Sequence, residues 1–321
     1  MLLPSSLRWF KWEAYTTWLS GFALLVLLYY LDPVTYLIDR AVADLAPWQA
    51  IAASLALLAG GWLAYDGLSR ALAERPRLFA LAIALLVTLV AFAAGALFSP
   101  RAAFIQTGAV IGTWMAANVL FVIIPGQREL VAAKQAGREV DPRYGIRGKQ
   151  RSVHNNYLTL PAVFAMISQH FPMTYAGDRP WLVLLALLAA GAAVRHFFNL
   201  RHQGRVVWAI PAATAIGVVA LAIVLAPPSL TSAPITEAEL PAVQAVFAQR
   251  CATCHSSLPT YPGIATAPKG VTFDTPQQQR DNARRVYQQV VVSRNMPFGN
   301  VTGMTAAERE LIARWVVSGA P

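Results

Sequence analysis

The run LFALAIALLVTLVAFAAGALF, residues 78–98, decides the fold class. It carries no charged side chain, and at ~1.5 Å per residue its helix is ~31 Å long, the thickness of a bilayer's hydrocarbon core. Working outward, comparable apolar stretches cover roughly 13–31, 48–66, 104–124, 153–170, 181–199 and 206–226, so seven spans are expected. The fifth is the least regular, because His154, Asn155, Asn156 and Tyr157 make its first turn polar and Pro161 interrupts it. Proline is tolerated in such a helix where neighbours satisfy the freed carbonyl.

The chain as a whole agrees with this reading. Its 321 residues are 56% apolar and only 13% charged, with a mean hydropathy of +0.46, which excludes a disordered chain and a pair of soluble globules. Two cysteines exclude a disulfide-stapled secreted module. With the N-terminus inside, the inner segments hold 15 Lys and Arg, and the outer loops hold only Arg40, Arg101 and Arg179. That asymmetry predicts a cytoplasmic N-terminus and places residue 227 onward outside. The net charge of +10 is therefore a topology signal. The basic residues flank lipid-spanning helices instead of clustering on a folded polar surface, so the bilayer is an expected partner and nucleic acid is not.

After Ala226 the composition changes. Residues 227–235, with Pro227, Pro228, Ser229, Ser232 and Pro234, read as a linker between a membrane domain at 1–226 and a small domain at 236–321. Thr236 and Glu239 are spaced as a capping box for a helix running toward Cys251. A second helix is expected over 276–293, after the Asp274-Thr275-Pro276 turn, and a third over 306–318, where Thr305 and Glu308 repeat the box. Phe247 and Trp315 should pack the first of these helices on the last. The fold class is thus all-α: a polytopic helical bundle followed by a small all-α domain.

Within the small domain, Cys251-Ala252-Thr253-Cys254-His255 is C-x-x-C-H, the attachment pattern of c-type haem. Two thiols one turn apart form thioethers to the two vinyl groups, and the adjacent histidine ligates iron. A redox dithiol has no use for His255, and a zinc half-site lacks its second pair of ligands. One covalent haem c is therefore expected, attached outside the membrane, where the charge count places this segment. The sixth ligand is Met296 or Met304; Met296 is preferred because Pro297 stiffens the loop presenting its sulfur. Ligation by His255 and Met296 raises the reduction potential and suits an electron acceptor.

Ionisable groups inside membrane helices default to functional hypotheses. Arg151, His154, Asn155, Asn156 and Tyr157 cluster at the inner end of the fifth span, and Arg195, His196, Asn199, Arg201 and His202 at the inner end of the sixth. The two ends are expected to face each other and form a substrate or cofactor site; the bland alternative is interfacial snorkelling. Gln106, Thr113 and Asn118 extend the set, and Gly108 with Gly112 invites close approach of a neighbouring helix.

The run 144–161, from Tyr144-Gly145-Ile146-Arg147 to His154-Asn155-Asn156-Tyr157 and Pro161, resembles the bacterial membrane-bound urate hydroxylases, which fuse a multi-span urate oxidase domain to a C-terminal cytochrome c. So do Trp9-Phe10-Lys11-Trp12-Glu13, Ile124-Pro125-Gly126-Gln127-Arg128 and Arg195-His196-Phe197-Phe198-Asn199. The resemblance implies oxidation of urate to 5-hydroxyisourate in purine degradation, with electrons passing to the haem and then to a respiratory acceptor such as a terminal oxidase. It implies a multi-pass protein of the bacterial inner membrane with a periplasmic cytochrome domain. It also implies a further membrane helix ahead of Trp9, which this sequence is expected to lack.

Under that resemblance, Arg151, Asn156, Arg195, Asn199, Arg201 and His202 are candidates to hold the planar urate anion. His154, His196, Asn155 and Tyr157 are the catalytic candidates, with His154 or His196 as base. Urate at the inner ends would lie about a bilayer from an outer haem. The expectation is therefore either a urate site nearer the outer face or an additional non-covalent haem between His154 and His196 or His202. The alternative function is a membrane-anchored cytochrome c that exchanges electrons with quinol or another donor without urate chemistry; a transporter or assembly factor is a third.

Overall fold

The computed structural model describes residues 8–177, 179–226 and 234–321. The expected linker therefore lies outside the described residues except for Pro234 and Ile235. All regular structure among the described residues is helical, and the chain divides into two compact units, Met1–His170 with Asp178–Val224, and Phe171–Gly177 with Leu225–Pro321.

The first unit contains α1 (Arg8–Leu25), a single turn α2 (Pro33–Tyr36), α3 (Pro47–Ala71), α4 (Pro76–Leu97), α5 (Pro100–Ala117), α6 (Ile124–Gln135), α7 (Pro142–Ile167), α8 (Pro180–His202) and α9 (Ala209–Val224). Helices α3, α4, α5, α7 and α8 each start at a proline, whose fixed φ suits a first turn and whose missing N–H is no loss there. Ser99 and Asp141 cap α5 and α7 with side-chain oxygens. A widened turn at Asn118–Ile123 joins α5 to α6, giving one helix of 36 residues, Pro100–Gln135.

Four helices among the described residues are long and apolar enough to cross a membrane: Pro47–Ala71, Pro76–Leu97, Pro100–Gln135 and Pro180–His202. The other expected spans are helical too, but α9 has only 16 residues and α7 is polar in its first half. Pro161 sits inside α7 without ending it.

Helix α7 packs against both α5 and α8, and glycines permit it. A Cβ on Gly108 of α5 would come within 2.8 Å of the Ala165 Cβ, and one on Gly191 of α8 within 3.2 Å of the Pro161 nitrogen. The close approach expected of Gly108 is thus made to α7; Gly112 faces open space.

The second unit contains α10 (Leu240–Val246), α11 (Pro276–Asp281), α12 (Ala283–Val286) and α13 (Ala306–Val317). Helix α10 continues in a wider turn to Cys251, and α12 likewise to Val292. Both expected capping boxes form: Glu239 accepts from the Thr236 N–H at 2.9 Å, and Glu308 from the Thr305 N–H at 2.6 Å. Phe247 and Trp315 are buried and meet edge to face, with ring centroids 5.2 Å apart, inside a core that includes Val243, Val290 and Ile312.

Candidate functional site

Polar side chains of α3, α5 and α7 converge in the first unit. Arg151, 3% exposed, donates Nη2 to Asp66 Oδ1 at 2.6 Å and Nη1 to Asn118 Oδ1 at 3.1 Å. Its guanidinium also lies 5.3 Å from the centre of the Tyr65 ring. Arg70 reaches the other Asp66 oxygen at 2.7 Å, so two guanidinium groups neutralise one carboxylate. A guanidinium only donates, so Asn118 must present its carbonyl to Arg151 and its amide nitrogen to Tyr65 Oη at 2.8 Å and Asn155 Oδ1 at 2.7 Å. Tyr65 Oη also lies within hydrogen-bond distance of His154 Nδ1, 2.9 Å away. The His154 ring stacks on Phe79, centroids 4.1 Å apart.

A second group lies between α7 and α8. Tyr157 Oη is 2.7 Å from His196 Nδ1, and Arg195 Nε donates to Asn156 Oδ1 at 2.8 Å. Asn199 is half-buried; Arg201 and His202 are exposed at the end of α8. The polar ends of α7 and α8 thus face each other, as expected, through Tyr157–His196 and Asn156–Arg195, but Arg151, His154 and Asn155 turn away to a separate group with α3 and α5. His154 and His196 each pair with a tyrosine. Tyr65, Asp66 and Phe79 were not among the sequence candidates. Asp66 carried a signal, since it is an acid at the end of an apolar run.

Asn155 also borders a cavity of about 510 Å³ between α1, α5 and α7, within the usual range for small-molecule sites. Glu13, Thr17, Tyr29, Thr113, Thr159 and Gln169 also line it. Gly112 lines it as well, and Trp18 closes one side by donating Nε1 to Thr113 Oγ1 at 3.1 Å.

In the second unit the C-x-x-C-H segment is a closed turn, with the His255 and Cys254 N–H groups donating to Cys251 O at 2.9 and 3.2 Å. His255 Nδ1 lies 3.0 Å from Val271 O, a group that can only accept, so the hydrogen is on Nδ1 and Nε2 keeps its lone pair. That is the tautomer an iron ligand requires. Both cysteines are free thiols, and burial pushes Cys251 up to about 12 and Cys254 upward as well. Met304 is packed in the core at 3% exposure, whereas Met296 is half-buried at its margin. Arg309 donates Nη1 to Met296 O at 2.7 Å and to Val290 O at 2.6 Å, fixing the loop that carries Met296. The donor set fits a covalently attached haem: two thiols on one turn, an imidazole with a free Nε2, and a thioether on a braced loop.

A bundle of apolar helices holding a buried, directionally fixed polar network, joined in one chain to a small helical unit, defines a membrane-type protein with an interior site. The urate oxidase N-terminal family matches residues 1–226, and the chain belongs to that family. Membership supports a urate-related oxidoreductase function. No curated protein and no solved structure matches the chain.

Proposed function

We propose that the protein oxidises urate to 5-hydroxyisourate in its first unit and passes the electrons to a haem c held by the second, from which a respiratory acceptor such as a terminal oxidase withdraws them. The observation that carries this reading is the family match over 1–226 in a chain that continues into a C-x-x-C-H segment whose histidine has the ligand tautomer. Cys251 and Cys254 would hold the haem by thioethers, and His255 and Met296 would ligate its iron, Met304 being committed to the core. The haem supplies one-electron acceptance when bound. The chain is read as a seven-span protein of the bacterial inner membrane, N-terminus cytoplasmic and residues 236–321 periplasmic, with α1, α7 and α9 completing the spans.

The residues of the first unit do the binding and positioning. Asp66 anchors Arg151, Arg151 orients Asn118, and Asn118 sets both Tyr65 and Asn155. A site held by such serial hydrogen bonds needs little reorganisation when a polar substrate arrives. The test is product analysis: membranes carrying the chain, given urate and a one-electron acceptor without oxygen in heavy-oxygen water, should form 5-hydroxyisourate bearing the heavy atom. Persistence of urate under these conditions overturns the reading.

A further inference from the structure

We infer that the cavity between α1, α5 and α7 is the urate chamber, that Asn155 reads the substrate's edge there, and that Glu13 is the catalytic base. The assignment rests on the urate reading above. Glu13 is the only ionisable side chain among Asp, Glu, Lys, Arg and His in the cavity's described wall. The histidines favoured as bases from the sequence do not line it, and His154 Nδ1 is engaged by Tyr65 Oη.

Asn155 is the one member of the buried network that borders the cavity. Its Oδ1 accepts from Asn118, and its Nδ2 donates to Met115 O at 3.0 Å. An amide offers two donors and two acceptor sites, so one donor and one acceptor remain, in an orientation traced back to Arg151. That spare pair matches the adjacent N–H and C=O groups repeated around urate. Thr17 lines the cavity too, the Thr113 hydroxyl is engaged by Trp18 and Ala109 O, and apolar groups such as Leu58, Ala109 and Ala162 wall the rest.

The chemistry requires a proton acceptor, and exposed Glu13 is the carboxylate on the cavity's described wall. Urate monoanion and one water give neutral 5-hydroxyisourate, one proton and two electrons. The bond from water oxygen to C5 forms as a water O–H bond breaks, and the hydrogen passes as a proton to the Glu13 carboxylate. The two electrons leave one at a time to a one-electron acceptor, the part that a haem held by Cys251, Cys254, His255 and Met296 would play. The fully conjugated ring is lost at C5, so the site must deliver water to one face while Asn155 holds the edge.

The experiment uses the full chain in membranes or detergent. Glu13→Gln should bind xanthine, a purine with similar N–H and C=O edges, within about threefold of wild type by calorimetry, while urate turnover falls about 100-fold or more, the range for a lost general base. Its residual rate should lose the acid limb of the pH profile, and Glu13→Asp should recover part of the turnover. Asn155→Leu should weaken xanthine binding by about tenfold, the worth of one or two lost hydrogen bonds. A Glu13→Gln protein that turns over urate within about fivefold of wild type, well short of the loss of a general base, overturns the assignment alone. Wild type that neither binds xanthine nor oxidises urate overturns it together with the urate reading.

Discussion

Arg151 decides which way Asn118 faces. The 3.1 Å contact from its Nη1 to Asn118 Oδ1 leaves the Asn118 amide nitrogen pointing at Tyr65 and Asn155, and through them the arrangement reaches His154 on one side and the cavity on the other.

Replacing Arg151 with methionine keeps the stem's volume and removes the charge. Asp66, 15% exposed, then retains only Arg70, and Asn118 is free to flip. A cost of about 3 kcal/mol is expected, the low end for breaking a buried pair because one partner remains. Thermal unfolding in detergent checks it; Asp66→Asn, which leaves a hydrogen-bonding group in place, should cost less. An unchanged midpoint for Arg151→Met would contradict the anchoring role.

The two glycines of α5 should behave oppositely. Gly108→Val drives a branched side chain into Ala165, whose Cβ cannot turn away, and is expected to destabilise by about 1–3 kcal/mol. Gly112→Ala meets nothing within 4 Å and, by helix propensity, should be neutral or slightly stabilising. Comparable unfolding midpoints for the two variants would show that α5 and α7 do not meet at Gly108.

Glu239 should give the second unit an acid-sensitive stability. Its carboxylate accepts two bonds from Arg314, both 2.8 Å, with further bonds from Thr236. These hold it at about 2, below the ordinary 4.5. A folded value below the unfolded one means the contribution is complete above pH 4.5 and is lost as pH falls from there through about 2. Denaturant unfolding of the full chain, read at the second unit's Trp315, should show this slope in wild type, and Glu239→Gln should reduce it.

Arg309 is expected to keep Met296 in place. Arg309→Leu removes the bonds to Met296 O and Val290 O and should lower stability by about 2 kcal/mol, the scale of hydrogen bonds from a charged donor. With haem bound, the red absorption of sulfur-ligated ferric haem should weaken and the reduction potential should fall. Arg309→Lys, which keeps one donor, should restore part of both.

The helices and caps were legible because they depend on neighbours a few residues apart. Thr305 with Glu308, Thr236 with Glu239, and the apolar runs are all of this kind. The polar site was legible only by residue type. Arg151, His154 and Asn155 look toward α3 and α5, while Asn156 and Tyr157 look toward α8, so helical phase splits a cluster that is continuous in sequence. Tyr65 and Asp66 joined it from 89 and 85 positions away. Which α3 residues reach α7 is set by helix pairing, and no local pattern encodes that. Glu13 was visible within the Trp9–Glu13 motif, but only the packing of α1 beside α5 and α7 places it on the wall of a chamber.

The central claim is that urate electrons reach a haem in the same chain. Membranes carrying the protein, oxidised, freed of oxygen and then given urate, should develop the absorption bands of reduced c-type haem, with one urate consumed for each two electrons delivered. Haem that stays oxidised in urate yet reduces fully with dithionite would contradict the account.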